Sequence, residues 1–195
     1  MTDAGRYECG MIAKAARDTY RHGNLRAEAL AAAYRIVADV GHTGLSLRQV
    51  AVAAGVAHRS LYNHFEDREA LLDAVATEAY LKLAASVAKA RTPHDYTAKY
   101  VRFALANRAI YALMMSRPHG TMKARPPLQT AVHKVITEAM RIFCQDIASP
   151  EERRRAVMKI YIIQYGAISL YAAGILDQPS EKALIAELSA MTSKI

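Results

Sequence analysis

The densest run of chemistry-bearing side chains is Val56-Ala-His-Arg-Ser-Leu-Tyr-Asn-His-Phe65, where His58, Arg59, Ser60, Tyr62, Asn63 and His64 all carry hydrogen-bonding groups. At helical spacing Val56, Leu61 and Phe65 can face a core, which leaves the six polar side chains as a surface of donors and acceptors. Few core helices carry so many. Just before them, Ala51-Val-Ala-Ala-Gly55 offers small side chains that let a second helix cross closely, and Gly55 can take the positive φ of a tight helix-helix turn. A short helix, a glycine turn and a polar second helix make the pattern of a helix-turn-helix.

The same residues do not suggest metal or bond-breaking chemistry. His58 and His64 stand six residues apart, about 240° around a helix, which is not one face. His22, His42, His94, His119 and His133 are scattered with no carboxylate or cysteine at ligand spacing, and two cysteines, Cys9 and Cys144, cannot build a four-ligand zinc site. There is no Gly-x-Ser-x-Gly elbow, no Gly-x-Gly-x-x-Gly after a strand and no His-Glu-x-x-His, and Gly41-His-Thr-Gly-Leu-Ser46 lacks the Lys of a phosphate loop. No catalytic residue, metal or cofactor is expected. A second group, Tyr100, Phe103, Tyr111, Met114, Met115, Met122, Tyr161, Tyr165 and Tyr171, has the composition of an adaptable apolar pocket, because Met is pliable and Tyr has a polar tip. Each taken singly reads as core. Arg153-Arg-Arg155 reads as a solvated helix face, with an acidic partner or ligand as the alternative.

The net charge of +8 points to a polyanionic partner, of which nucleic acid is the commonest. The surplus is unevenly spread: residues 1–91 hold 12 Lys/Arg against 10 Asp/Glu, and residues 92–195 hold 14 against 8, so the helix-turn-helix region is not its main source. The low cysteine count fits a reducing cytoplasm, and neither a signal peptide nor a bilayer-spanning stretch is visible, so a cytoplasmic protein without membrane contact is expected. Residues 1–10 carry no pattern and the stretch from Met11 reads as a basic arm, so residues 1–20 are expected to be mobile, with Met1 and Met11 both open as the native start.

The elements that must hold these residues are helices, since Gly and Pro are scarce at 9 and 6 while Ala and Leu are plentiful. Leu25, Ala29, Ala32, Ala33, Ile36, Val37 and Val40 share one stripe, with Asn24 as N-cap and Gly41 as stop. Ser46-Leu-Arg-Gln49 has capping-box form and opens a short helix. A long helix is expected from Asp67 to Arg91, helical spacing from Tyr96 to Met115, a helix from Pro126-Pro127 to about Ile147, another from Ser149-Pro150 to Ala173, and a last one from Ser180 to Lys194. The expected fold is all-α, about nine helices in all: a three-helix N-terminal helix-turn-helix domain and a C-terminal helical domain.

Four ordered blocks, Tyr20-Arg-His-Gly-Asn-Leu-Arg26, Leu45-Ser-Leu-Arg-Gln-Val-Ala51, Ala54-Gly-Val-Ala57 and Leu61-Tyr-Asn-His-Phe65 followed by Leu71, closely resemble the TetR/AcrR family of transcriptional regulators. That resemblance implies that the helix from Val56 or Ala57 to Phe65 enters the major groove of double-stranded operator DNA, with His58, Arg59 and Asn63 at base edges. Arg suits guanine O6/N7 and Asn suits adenine N6/N7. It further implies phosphate contacts from Ser46, Arg48, Ser60, Tyr62, His64 and Arg68, where Arg68 stands for the family's usual Lys. Tyr100-Val-Arg-Phe-Ala-Leu-Ala-Asn-Arg-Ala-Ile-Tyr-Ala-Leu-Met-Met115 is similar to a segment of a subfamily whose C-terminal domain carries a Trp-His-Gly motif, although Asn107-Arg108 replace its His-Pro.

By the same resemblance, residues 21–66 are the DNA-binding domain, 67–91 a connecting helix, and 92–195 a ligand-sensing and dimerisation domain. Phe103, Tyr111, Met114, Met115, Tyr161 and Tyr165 are the pocket candidates. The implied protein is a homodimer, a repressor by the family's usual sign, released from a palindromic operator by a small-molecule effector. A ligand-independent DNA-binding or protein-recruiting regulator is the alternative, and a helical enzyme on the same architecture is the third reading.

Overall fold

A computed structural model describes residues 25–193. The expected mobile arm over residues 1–20, the start at Met1 or Met11, the Asn24 cap and the helix end at Lys194 lie outside them. Among the described residues every regular element is helical. Helix α1 spans residues 25–40, followed by α2 (Leu47–Ala54), α3 (His58–Leu61), α4 (Arg68–Val87), α5 (Pro93–Ala106), α6 (Arg108–Met115), a 3₁₀ segment (His119–Ala124), α7 (Pro126–Phe143), α8 (Pro150–Ala172) and α9 (Glu181–Thr192). The chain divides into two compact units, and the boundary falls inside α4, between Leu72 and Asp73.

In the first unit the apolar stripe of α1 is buried through Leu25, Ala29, Ala32, Ala33 and Val37, whereas Val40 at its end is exposed. Ser46 caps α2 as its sequence requires: its hydroxyl accepts from Gln49 N at 3.2 Å, and Gln49 Oε1 accepts from Ser46 N at 2.9 Å. Gly55 ends α2 at φ 66, a conformation that a side chain would strain. Helix α3 is shorter than the expected span to Phe65. Ala57 remains extended, with no side chain to cap the helix, and residues 62–64 relax into a turn in which Phe65 N still reaches Leu61 O at 2.9 Å. Leu61 and Phe65 nevertheless reach the core, and the Arg26 guanidinium lies 5.4 Å from the Phe65 ring centroid.

In the second unit α5 packs on α9, α8, α7 and α6, and α7 and α9 both pack on α8. Three helix boundaries differ from expectation. Helix α4 stops at Val87 instead of Arg91, and just past its end the Arg141 guanidinium donates to Ala88 O at 3.2 Å and Ala90 O at 3.0 Å, holding carbonyls that have no helical partner. The run from Tyr96 to Met115 breaks at Asn107 (φ −127, ψ 46), whose Nδ2 donates to Phe103 O at 2.8 Å. Helix α7 ends at Phe143, with Cys144 already out of helical geometry, and leaves Ile147 O to accept from Arg153 Nε.

Candidate nucleic-acid interface and ligand cavity

The polar cluster of α3 forms an outward face. Leu61 is fully buried beneath it, while His58, Arg59, Tyr62, Asn63 and His64 are exposed and Ser60 is half-buried. His58 and Arg59 lie on α3 itself, and Tyr62 and Asn63 in the turn that closes it, so the exposed polar surface runs from the helix into its end. The His58 and Tyr62 rings stand edge-on, 5.3 Å between centroids. Arg48 is exposed on α2, and Ser46 is exposed at its start.

Two of the expected phosphate contacts have internal work. Besides accepting from Gln49 N, the Ser46 hydroxyl lies 2.8 Å from Gln49 Oε1, its natural acceptor, so it serves the cap. The Arg68 guanidinium donates to Leu45 O at 2.8 Å, His42 O at 2.5 Å and Thr43 O at 3.4 Å, and pairs with Glu69 at 2.6 Å. Five N–H donors in a rigid fork can hold three carbonyls where an ammonium could not match the geometry, so this Arg fixes the turn between α1 and α2.

In the second unit a cavity of about 490 Å³ opens between α7 and α8, backed by Tyr80 of α4 and Tyr96 and Tyr100 of α5. Val132, Val135, Ile136 and Met140 form its α7 wall; Arg154, Val157, Met158, Tyr161 and Gln164 are among those that form its α8 wall. Burial pushes the phenols of Tyr80, Tyr96 and Tyr100 well above the ordinary range and raises that of Tyr161, so the cavity presents neutral rings. A second cavity of about 300 Å³ lies between α6 and α8, bordered by Tyr111, Met115 and Tyr165.

Of the six pocket candidates, Tyr161 therefore borders the larger cavity, and Tyr111, Met115 and Tyr165 the smaller. Met114 is fully buried in the core, and Phe103 borders neither of these cavities. Sequence reasoning passes over Tyr80, Tyr96 and Gln164, and meets Arg154 only within Arg153-Arg-Arg155, where an acidic partner or ligand is the alternative to a solvated face. A usable signal existed for one of them: Gln164 takes a core position on α8, midway between Ile160 and Ile168 at intervals of four. A polar residue on an apolar stripe asks for a partner.

Residues 29–75 match the description "bacterial regulatory proteins, tetR family", and residues 94–191 match the C-terminal domain of tetracyclin repressor-like proteins. The tetracycline repressor protein class C of Escherichia coli is 30% identical over 168 residues, covering 84% of this chain and 74% of that protein. The chain belongs to the tetR family. It is accordingly a DNA-binding transcriptional regulator, and its family consists of regulators, not enzymes. A protein of unknown function from Rhodococcus sp. RHA1 shares 30% identity and superposes with a TM-score of 0.73, over 90% of this chain and 96% of that one. A structure solved in complex with the ligand resorcinol has the same fold at 17% identity and a TM-score of 0.63, over 90% and 88% of the two chains. The tetR-family N-terminal match encloses the whole polar face of α3, and no described helix is long and apolar enough to cross a membrane.

Proposed function

We propose that this tetR-family regulator is a homodimeric repressor whose two α3 helices enter successive major grooves of a palindromic operator, and that a small molecule in the second unit releases it. His58, Arg59 and Asn63 read base edges; Arg48, Ser60, Tyr62 and His64 contact phosphates and set register; Ser46 and Arg68 present themselves to the backbone while holding the turn beneath. The observation that carries the reading is the polar, exposed surface of α3 anchored by buried Leu61 and Phe65. The reading heads would stand about 34–36 Å apart. Repression is supported by the curated relative, which is a repressor.

Dimerisation is supported by Met158, Tyr161, Ile162, Tyr165 and Leu170 on α8 and Met191 on α9, large apolar side chains left exposed. Several large apolar side chains exposed on one pair of helices are characteristic of a partner face. Ligand sensing is supported by the 490 Å³ cavity and by a fold neighbour that was solved with an aromatic ligand. An effector must bind the DNA-incompetent state more tightly, since equal affinity for both states shifts nothing. The test is selection of bound fragments from random DNA, followed by sedimentation of the complex and a screen for compounds that release it. Palindromic fragments, a dimer and at least one releasing compound are expected. A strict monomer at micromolar concentration would overturn the scheme, and an operator affinity that no cavity-bound compound changes would mark a ligand-independent regulator.

A further inference from the structure

Gln164 is 1% exposed, and its amide nitrogen has no hydrogen-bond partner. The four phenols around the same cavity are not in that position. Tyr80 donates to Met114 O at 3.1 Å, Tyr96 to Val135 O at 3.5 Å and Tyr161 to Met115 Sδ at 3.4 Å, and the Tyr100 hydroxyl lies 3.5 Å from that of Tyr111. One residue bordering the cavity therefore holds a buried donor with nothing to bond. Buried amides are almost always satisfied, so an orphan bordering an apolar space is a place prepared for an acceptor that arrives with a visitor.

The other end of the cavity has the opposite character. Arg154 borders it, is exposed, and has no ion pair among the described residues, whereas its neighbours are engaged: Arg153 donates to Ile147 O and Arg155 pairs with Glu151. Among the described residues no carboxylate borders the cavity. Arg154, Val157, Tyr161 and Gln164 lie on one stripe of α8, within about 80° of arc, and ten residues of helix place the two ends about 15 Å apart along the axis. On that stripe Arg154 and Tyr161 are exposed, Val157 is half-buried and Gln164 is 1% exposed, so the cation stands at the mouth and the amide inside.

We propose that the effector is an elongated, largely apolar molecule with an acidic group at one end, paired with Arg154, and a hydrogen-bond acceptor at the other, received by Gln164 Nε2. This rests on the reading of the cavity as the effector site. A cationic ligand is disfavoured twice over, because no carboxylate would pair with it and Arg154 would repel it. The neutral tyrosine rings and the aliphatic α7 wall take the apolar body.

The test uses the full chain and calorimetric titration with four probes of equal length: ω-hydroxydodecanoate, dodecanoate, dodecanediol and dodecyltrimethylammonium. The first is expected to bind most tightly and the ammonium least. Gln164→Met should cost ω-hydroxydodecanoate about tenfold in affinity, the worth of one buried hydrogen bond, while leaving dodecanoate unchanged. Arg154→Gln should cost both acids about three- to tenfold, less in high salt, and leave dodecanediol unchanged. If Gln164→Met loses native circular dichroism, Gln164→Leu makes the same comparison. An ammonium that binds as tightly as the acids, no binding by any probe, or a variant that weakens all four alike would overturn the proposal. The same probes are then added to the protein on its selected DNA. Acid binding without release refutes the sensing mechanism and leaves the cavity assignment standing, whereas release by cationic compounds alone refutes this ligand class and leaves sensing intact.

Discussion

Replacing Gln164 by Met should stabilise the ligand-free protein, although most buried substitutions do the reverse. The magnitude follows from the amide nitrogen, which is buried at a residue 1% exposed and has no partner. An unmet buried donor costs about 1–3 kcal/mol, and a side chain of the same length without that donor removes the cost. Met is unbranched and pliable, and the adjoining cavity leaves room for its sulfur, so the strain of a misfit side chain should be small. The net gain should be about 1–2 kcal/mol, each kcal/mol raising the melting temperature by about 2–4 °C for a chain of this size. Urea unfolding at fixed protein concentration, followed by tyrosine fluorescence, measures it, because the chain has no Trp and seven of its eleven Tyr lie beyond Asp73 in the unit concerned. A loss of about 1 kcal/mol or more would mean that the amide is satisfied in solution, and the reasoning from an orphaned donor would fall with it.

Arg59→Ala should relax base preference at one operator position by about 1–3 kcal/mol, while Arg48→Ala should weaken specific and random DNA alike and lower the salt slope by about 1, as filter binding over a salt series would read; equal losses from both variants would show the roles misassigned. Arg68→Ala should lower the stability of the first unit by about 1.5–3 kcal/mol through its carbonyl contacts, and Arg68→Lys should restore little of it because an ammonium lacks the fork. Rescue by Lys in chemical denaturation would point to charge alone. Alkaline pH should unfold the second unit. Burial raises the Tyr80, Tyr96, Tyr100 and Tyr111 phenols above the ordinary 10.0, so the native state holds protons that the unfolded state releases; their contribution is intact below pH 10.0 and is lost as pH rises past it. Tyrosinate absorbance rising together with the loss of helix, and not before it, is the expected signature.

The local elements were legible in the residue order because their causes are local. Ser46 and Gln49 sit three apart and close a capping box wherever that spacing is followed by a helix, and Gly55 takes positive φ because the turn needs it. Ser180 caps α9 in the same way, accepting from Ala183 N at 3.2 Å, and Pro126 and Pro150 each open a helix where a missing N–H costs nothing. The polar face of α3 was visible because the apolar residues among its polar ones, Leu61 and Phe65, stand four apart and both reach the core. Helix ends held by distant partners were less legible: Arg141, far along the chain, takes the carbonyls of Ala88 and Ala90 just past the end of α4.

By itself the sequence determined an all-α protein with a helix-turn-helix reader, since propensity, capping and amphipathic period all act within a few residues of each other. It did not determine what Arg68 does or which aromatic side chains border a cavity. Arg68 looks like a free cation until the fold brings the carbonyls of His42, Thr43 and Leu45 to its guanidinium. Tyr80, Tyr96 and Gln164 belong to three different helices and adjoin one space only when α4, α5 and α8 pack together. Met114 and Tyr111 are near neighbours in sequence, yet one is in the core and the other at a cavity wall. A helical period says which side of a helix is apolar. Only the packing of several helices decides whether that side is filled by the protein or left open for a ligand.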